Sequence, residues 1–150
     1  MKKLGILFLL FIFSISIYAQ ENIYRAVFDC SIGDLNFIQN RLWLIKKTAE
    51  MLKSEKNEYE FVITMHGQCV KVLKEDYTGT EAEKQKIEQI QETLEILNKF
   101  YKVDIKACNI ALRRMNLNKN NILDFVQIVP NSWITLIRLQ NNGFALVLFK

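Results

Sequence analysis

The 150-residue chain has one histidine, one proline, three cysteines and five glycines, and each scarcity closes off a chemistry. With His66 alone, neither an HExxH helix nor a two-histidine zinc site can be assembled, and three cysteines without a CxxC pair make no structural zinc cluster. No metal is expected. Gly5, Gly33, Gly67, Gly79 and Gly143 fall into neither GxGxxG nor a Walker-type glycine loop, so no nucleotide cradle is written. No GxSxG elbow marks a serine nucleophile. A lone proline in a chain that is 50% hydrophobic excludes a disordered or Pro-rich linker protein. Charge is nearly balanced, 20 basic against 16 acidic residues, so no nucleic-acid partner is expected.

What is present begins with an export pattern. Lys2 and Lys3 precede an apolar run from Leu4 to Ile17, and Ser16-Ile17-Tyr18-Ala19 places a small residue just before Gln20. Cleavage after Ala19 is expected, with a signal peptide at residues 1–19 and a single domain at residues 20–150. The run is shorter than the roughly 20 apolar residues a membrane span needs, although an uncleaved N-terminus would anchor the protein instead. Removing Lys2 and Lys3 takes the net charge from +4 to +2. The expected location is periplasmic or secreted. In such an oxidising compartment Cys30, Cys69 and Cys108 form an odd set, so at least one thiol stays unpaired within the chain.

Periodicity predicts alternating strands and helices. An apolar, β-branched and aromatic strand over Ile23–Cys30 leaves through Ser31-Ile32-Gly33-Asp34. Leu35, Ile38, Leu42, Ile45, Ala49 and Leu52 then recur at steps of three and four, predicting a helix with one apolar face and Asp34 as its cap. A strand over Tyr59–Met65 closes at His66-Gly67, followed by a short helical turn at Val70–Leu73 and a polar loop to Gly79. Thr80-Glu81-Ala82-Glu83 has the capping-box pattern, and Ile87, Ile90, Leu94, Leu97 and Tyr101 continue one stripe of a long helix. A third strand at Val103–Ala107, a short helix at Cys108–Met115, a strand at Ile122–Val129, a helix at Asn131–Gln140 and a strand at Phe144–Phe149 complete the order. Near-continuous apolar strands between helices mean a parallel sheet covered on both faces. The predicted class is α/β, a three-layer α/β/α domain with a mainly parallel five-stranded sheet.

Ligands meet such sheets at the carboxyl ends of the strands. That edge gathers Ser31 and Asp34, His66 and Cys69, Cys108 and Asn109, and Asn131, Ser132 and Trp133. Cys108 is the leading candidate nucleophile, because a thiol at a helix start is stabilised as thiolate by free backbone N–H groups and the helix dipole. Cys30, inside an apolar strand, is read as structural. Cys69 is a candidate resolving thiol or disulfide partner for Cys108. His66, titrating near neutrality, is a candidate hydrogen-bond partner for the thiolate. Asn109, Asn131 and Ser132 are candidate binding residues. Trp133 is expected to rest on its own sheet.

The run Val103-Asp104-Ile105-Lys106-Ala107-Cys108-Asn109-Ile110-Ala111-Leu112, with His66-Gly67 and with Ile137-Arg138-Leu139-Gln140-Asn141-Asn142-Gly143-Phe144-Ala145, resembles the DsrE/DsrF-like family of sulfur-relay proteins. The resemblance covers nearly all of the predicted mature chain. It implies an α/β/α domain assembled as homotrimers or hexamers, and a cysteine that carries a persulfide; Cys108 is the matching position. It departs from the exported relatives at Pro130-Asn131-Ser132-Trp133, where they commonly have a small residue and a glycine after the proline. The resulting expectation is a persulfide carrier that needs no cofactor, with sulfur donor and acceptor proteins or small thiols as partners. Self-association would use Trp43, Leu44, Phe100 and Tyr101. The rival is a non-catalytic oligomeric module that holds a small anion or thiol compound at the same edge.

Overall fold

The computed structural model describes residues 23–149, so the predicted signal peptide, its cleavage site and the alternative anchor lie outside the described residues. Among the described residues no helix is long and apolar enough to cross a membrane.

Strand β1 (Tyr24–Cys30) leads to α1 (Leu35–Ser54), whose N-cap Asp34 accepts a hydrogen bond from the Phe37 N–H at 2.9 Å. After β2 (Tyr59–Met65) the chain makes a 3₁₀ segment over Gly67–Leu73 and then α2 (Glu81–Tyr101). Thr80 and Glu83 form the reciprocal capping box: the Glu83 N–H donates to the Thr80 hydroxyl at 3.3 Å and the Thr80 N–H to the Glu83 carboxylate at 3.0 Å. Next come β3 (Asp104–Cys108), α3 (Asn109–Arg114), β4 (Gln127–Val129), α4 (Ser132–Asn141) and β5 (Ala145–Leu148).

The sheet has the order β4-β3-β2-β1-β5 and every neighbouring pair is parallel. The chain steps outward from β1 to β4, and α4 then carries it back across the sheet to the far side of β1. Because strand side chains alternate, each face has its own set. Phe28, Phe61, Ile63 and Ile105 face α1 and α2, where Ile38, Leu42, Leu94 and Leu97 complete the main core. Val27 and Val62 face the other way and meet Leu136, with Leu139 and Phe144 beside them. The three-layer α/β/α class read from the sequence is the one observed.

Two expected elements differ. The fourth strand is confined to Gln127–Val129. Ile122, in an isolated antiparallel bridge with Lys74, and Val126 are buried in the main core outside any strand, after a 3₁₀ turn at Lys119–Asn121 that Asn118 caps by accepting from the Asn120 N–H. Their apolar spacing comes from a loop that plugs the core. The third strand begins and ends one residue later than its hydrophobic run. Lys102 takes a left-handed conformation to stop α2, and Cys108 becomes both the last residue of β3 and the N-cap of α3.

Candidate functional site

The period of two along the strands sets the site. Val27, in the second face's cluster, puts Asp29 on the α4 side of β1, and Val62 puts Thr64 on the same side of β2, directly in register with Asp29. The fully buried Thr64 hydroxyl donates to Asp29 Oδ1 at 2.7 Å. Beyond the end of β2, His66 Nε2 lies 3.1 Å from both carboxylate oxygens of Asp29. A carboxylate opposite Nε2 places the proton there and leaves Nδ1 as the other ring nitrogen. The hydrogen bond to Asp29 pushes the His66 pKa above its ordinary value; burial opposes it, while the negative charges of Asp29 and Cys108 add to it.

The turn holding His66 is tied to β1. Its N–H donates to the Cys30 carbonyl at 2.9 Å and the Gln68 N–H to the Ser31 carbonyl at 3.1 Å. Gly67 adopts φ +53°, and a Cβ there would stand 2.7 Å from the Ser31 oxygen, so only glycine fits. The same turn brings Cys69 back over β1 into a disulfide with Cys30, Cα–Cα 5.9 Å, with both residues fully buried. This corrects the expectation for Cys69: it is neither a resolving thiol nor a partner for Cys108, because its sulfur is bonded to Cys30. Cys30 is structural, as read.

Cys108 is the free thiol, 4% exposed at the end of β3. Burial pushes this thiol up. That is the largest single effect, but the N–H of Ser132, the N–H groups of Ala111 and Ile110 and the Ser132 hydroxyl together outweigh it, and the net pKa is lowered. Of these donors only the Ser132 N–H meets hydrogen-bond geometry, donating to Sγ at 3.5 Å. The thiolate is therefore stabilised chiefly from the start of the ten-residue α4, with the six-residue α3 that it caps as a minor contributor.

Cys108 and His66 line one open cavity of about 320 Å³, together with Arg114, Asn131, Ser132 and Trp133. Asn131 caps α4, its side-chain oxygen accepting from the Trp133 N–H at 2.9 Å. Ser132 is buried. Asn109 is not among the cavity's lining residues, and its buried side-chain oxygen has no hydrogen-bond partner. Trp133 departs from expectation: it is 67% exposed and forms a rim of the cavity. The second face offers little core for it to enter.

Sequence reasoning missed Asp29, Thr64 and Arg114. For Asp29 a signal existed. It is the one charged residue in the run Ala26-Val27-Phe28-Asp29-Cys30, inside a strand flanked on both sides by others, where a carboxylate requires partners.

An all-parallel α/β/α domain with a shielded thiol at the carboxyl edge of its third strand defines the class of protein. A family-model match says which one. The DsrE/DsrF-like family model matches residues 39–149, and the chain belongs to that family. It is 50% identical over 150 residues to an uncharacterized protein of Aquifex aeolicus (strain VF5), covering 99% of this chain and 64% of that protein. The chain thus spans slightly less than two thirds of that relative's length. Among solved structures, the ychN protein of E. coli superposes with a TM-score of 0.62 at 17% identity, over 84% of this chain and 99% of that one. MTH1491 of Methanobacterium thermoautotrophicum, described as a protein of unknown function, superposes with a TM-score of 0.59 at 21% identity, over 83% and 98%. These two likenesses concern the fold.

Proposed function

We propose that this chain is an exported sulfur carrier that takes a sulfane sulfur onto Cys108, holds it as a persulfide and passes it to an acceptor thiol. One observation carries the reading: a buried thiol with a depressed pKa shares a cavity with an imidazole whose far side is held by a carboxylate. That arrangement of nucleophile, base and orienting group is the one activated cysteines use.

The Cys108 thiolate attacks the sulfane sulfur of the donor. A new S–S bond forms at Sγ, the donor's S–S bond breaks, and the leaving group departs with the bonding electron pair, so no external oxidant or reductant is needed. His66 donates a proton to a leaving thiolate, and Asp29, steadied by Thr64, keeps the imidazole oriented. Attack of an acceptor thiolate on the outer sulfur of the persulfide returns Cys108 to the thiolate. Donor and acceptor proteins or small thiols are the partners, and the chemistry requires no metal or cofactor.

Export is supported by the N-terminal apolar run and by the buried Cys30–Cys69 disulfide, a bond that persists in oxidising compartments. Self-association, as trimers or hexamers, is supported by apolar side chains left exposed: Trp43, Leu44 and Phe100 on α1 and α2, Ile134 and Ile137 on α4, Leu146 and Val147 on β5. Tyr101 is less available than expected, its hydroxyl donating to Glu50 at 2.8 Å.

Polysulfide treatment followed by peptide mass mapping tests the carrier. The Cys108 peptide of the native protein gains mass in steps of about 32 Da per sulfur, and Cys108→Ser gains none. If the native peptide carries no added sulfur, the non-catalytic binding module replaces this reading.

A further inference from the structure

The cavity in front of Cys108 has a definite charge character. His66 and Arg114 are its ionisable lining residues besides Cys108 itself, and no carboxylate reaches the lining. The nearby Asp29 is engaged by Thr64 and His66. Arg114 stands in the last turn of α3 and has no ion-pair or hydrogen-bond partner among the described residues. Some surface cations are paired, Arg25 with Glu60, Lys47 with Glu50 and Lys99 with Glu95, and others such as Arg113 and Arg138 are not, among the described residues; what sets Arg114 apart is that it lines the cavity of Cys108. An unpaired guanidinium beside an anionic nucleophile does two things. It offsets the repulsion a negatively charged donor meets from the thiolate, and it presents a planar fork of N–H donors that matches the oxygens of a carboxylate or sulfonate. A volume of about 320 Å³ suits a small molecule, and the indole of Trp133 supplies an apolar rim.

Building on the carrier reading, we infer that the sulfur donor is a low-molecular-weight anion whose leaving group bears an oxyanion, either an inorganic thiosulfate-type ion or a carboxylate-bearing organic persulfide, and that Arg114 engages that oxyanion. In both cases the S–S bond to the leaving group breaks as the bond to Cys108 Sγ forms. Sulfite leaves from the inorganic donor and a thiolate from the organic one, each taking the electron pair, with no net change in oxidation level.

Iodoacetate and iodoacetamide are nearly isosteric and differ in charge, so the ratio of their alkylation rates at Cys108 reads the cavity's charge independently of sulfur transfer. Replacing Arg114 by Gln is expected to lower the iodoacetate-to-iodoacetamide ratio about three- to ten-fold at low ionic strength, with the difference shrinking in salt. Arg114→Lys restores much of it, and Arg113→Gln, outside the cavity lining, leaves it unchanged. In sulfur loading, Arg114→Gln slows transfer from thiosulfate or from glutathione persulfide more than transfer from 2-hydroxyethyl persulfide, whose leaving group bears a hydroxyl in place of an oxyanion, and the two oxyanion-bearing donors, assayed separately, distinguish the inorganic source from the organic one. A ratio equal in the native protein and Arg114→Gln overturns the inference, as does equal slowing with the hydroxyl-bearing donor; the carrier reading survives either result. An Arg114-dependent ratio with no loading from any donor overturns the carrier reading and leaves the anion preference standing.

Discussion

On one face of the sheet α1, α2 and the 3₁₀ segment bury a continuous apolar core, into which Ile122 and Val126 are also folded, whereas on the other α4 covers Val27 and Val62 through Leu136. The buried disulfide lies with the first face. The polar relay from Thr64 through Asp29 to His66 lies on the second. The thick face holds the strands in register, and the thin one can therefore carry groups that a packed core would exclude. It leaves an open cavity, an exposed tryptophan and a partly buried carboxylate engaged by Thr64 and His66. Stability and chemistry are separated by the pleat of the strands, and substitutions on the two faces are expected to fail differently.

The largest effect is expected at the disulfide. Cys30 and Cys69 are 39 residues apart, and closing a loop of that size restricts the unfolded chain by about 4 kcal/mol. Cys30→Ala with Cys69→Ala should lower stability by roughly that amount in denaturant titrations. Cys108 reactivity should change because the turn carrying His66 loses an anchor. A double variant as stable as the native chain would mean that the bond adds nothing to this face.

Truncating the same side chain on each face sharpens the comparison. Leu94 is fully buried in the main core, and Leu94→Ala should cost about 2–5 kcal/mol through lost transfer energy and the cavity left behind. Leu136 is at the margin of burial in the small cluster, and Leu136→Ala should cost about 1–2 kcal/mol, because solvent and neighbours can occupy the space. Equal losses in chemical unfolding would show that the second face is better packed than its residues suggest.

How much of this could be read in advance divides along the same lines. The thick face was legible, because Ile38, Leu42, Ile45 and Ala49 announce α1 by their spacing and Thr80 with Glu83 announces the start of α2. The strand-end rule also brought Cys108, His66, Asn131 and Ser132 to one edge. The pairing of Cys69 was not legible. Cys69 is as far in sequence from Cys30 as from Cys108, and the choice depends on a tight turn at Gly67 that folds the chain back over β1. Asp29 was hidden because an apolar run reads as a strand without saying which residue faces which layer. Its meaning emerges only once β1 and β2 are in register and Thr64 stands opposite.

A smaller effect is expected from Thr64→Val, which preserves shape and removes the hydroxyl that donates to Asp29. The carboxylate loses one buried partner, a cost of about 1–3 kcal/mol. The His66 titration should also shift, which NMR of the imidazole would follow. If stability falls while the titration stays in place, Thr64 serves packing on this face rather than the relay.

The finest test is the pH dependence of the Cys108–His66 pair. The folded pKa of His66 is raised, so its interaction with Asp29 contributes fully below the unfolded value of about 6.5 and is lost as pH rises through the folded value. The folded pKa of Cys108 is lowered, so its thiolate contributes above the unfolded thiol value of about 8.5 and that contribution is lost as pH falls through the folded value. Between the two folded values the proton distribution belongs to the pair rather than to either residue. His66→Gln removes the cation that favours the thiolate. Cys108 alkylation in that variant should therefore be slower than in the native protein near pH 6, by a few-fold, and should converge with it as pH rises past the thiol pKa of both proteins. The thermal stability difference between the two proteins should run the same way, largest in mild acid and shrinking as pH rises. Superimposable alkylation profiles would mean that the imidazole and the sulfur share the cavity without sharing charge, and the thin face would then owe its thiolate to the Ser132 N–H and its neighbouring backbone donors alone.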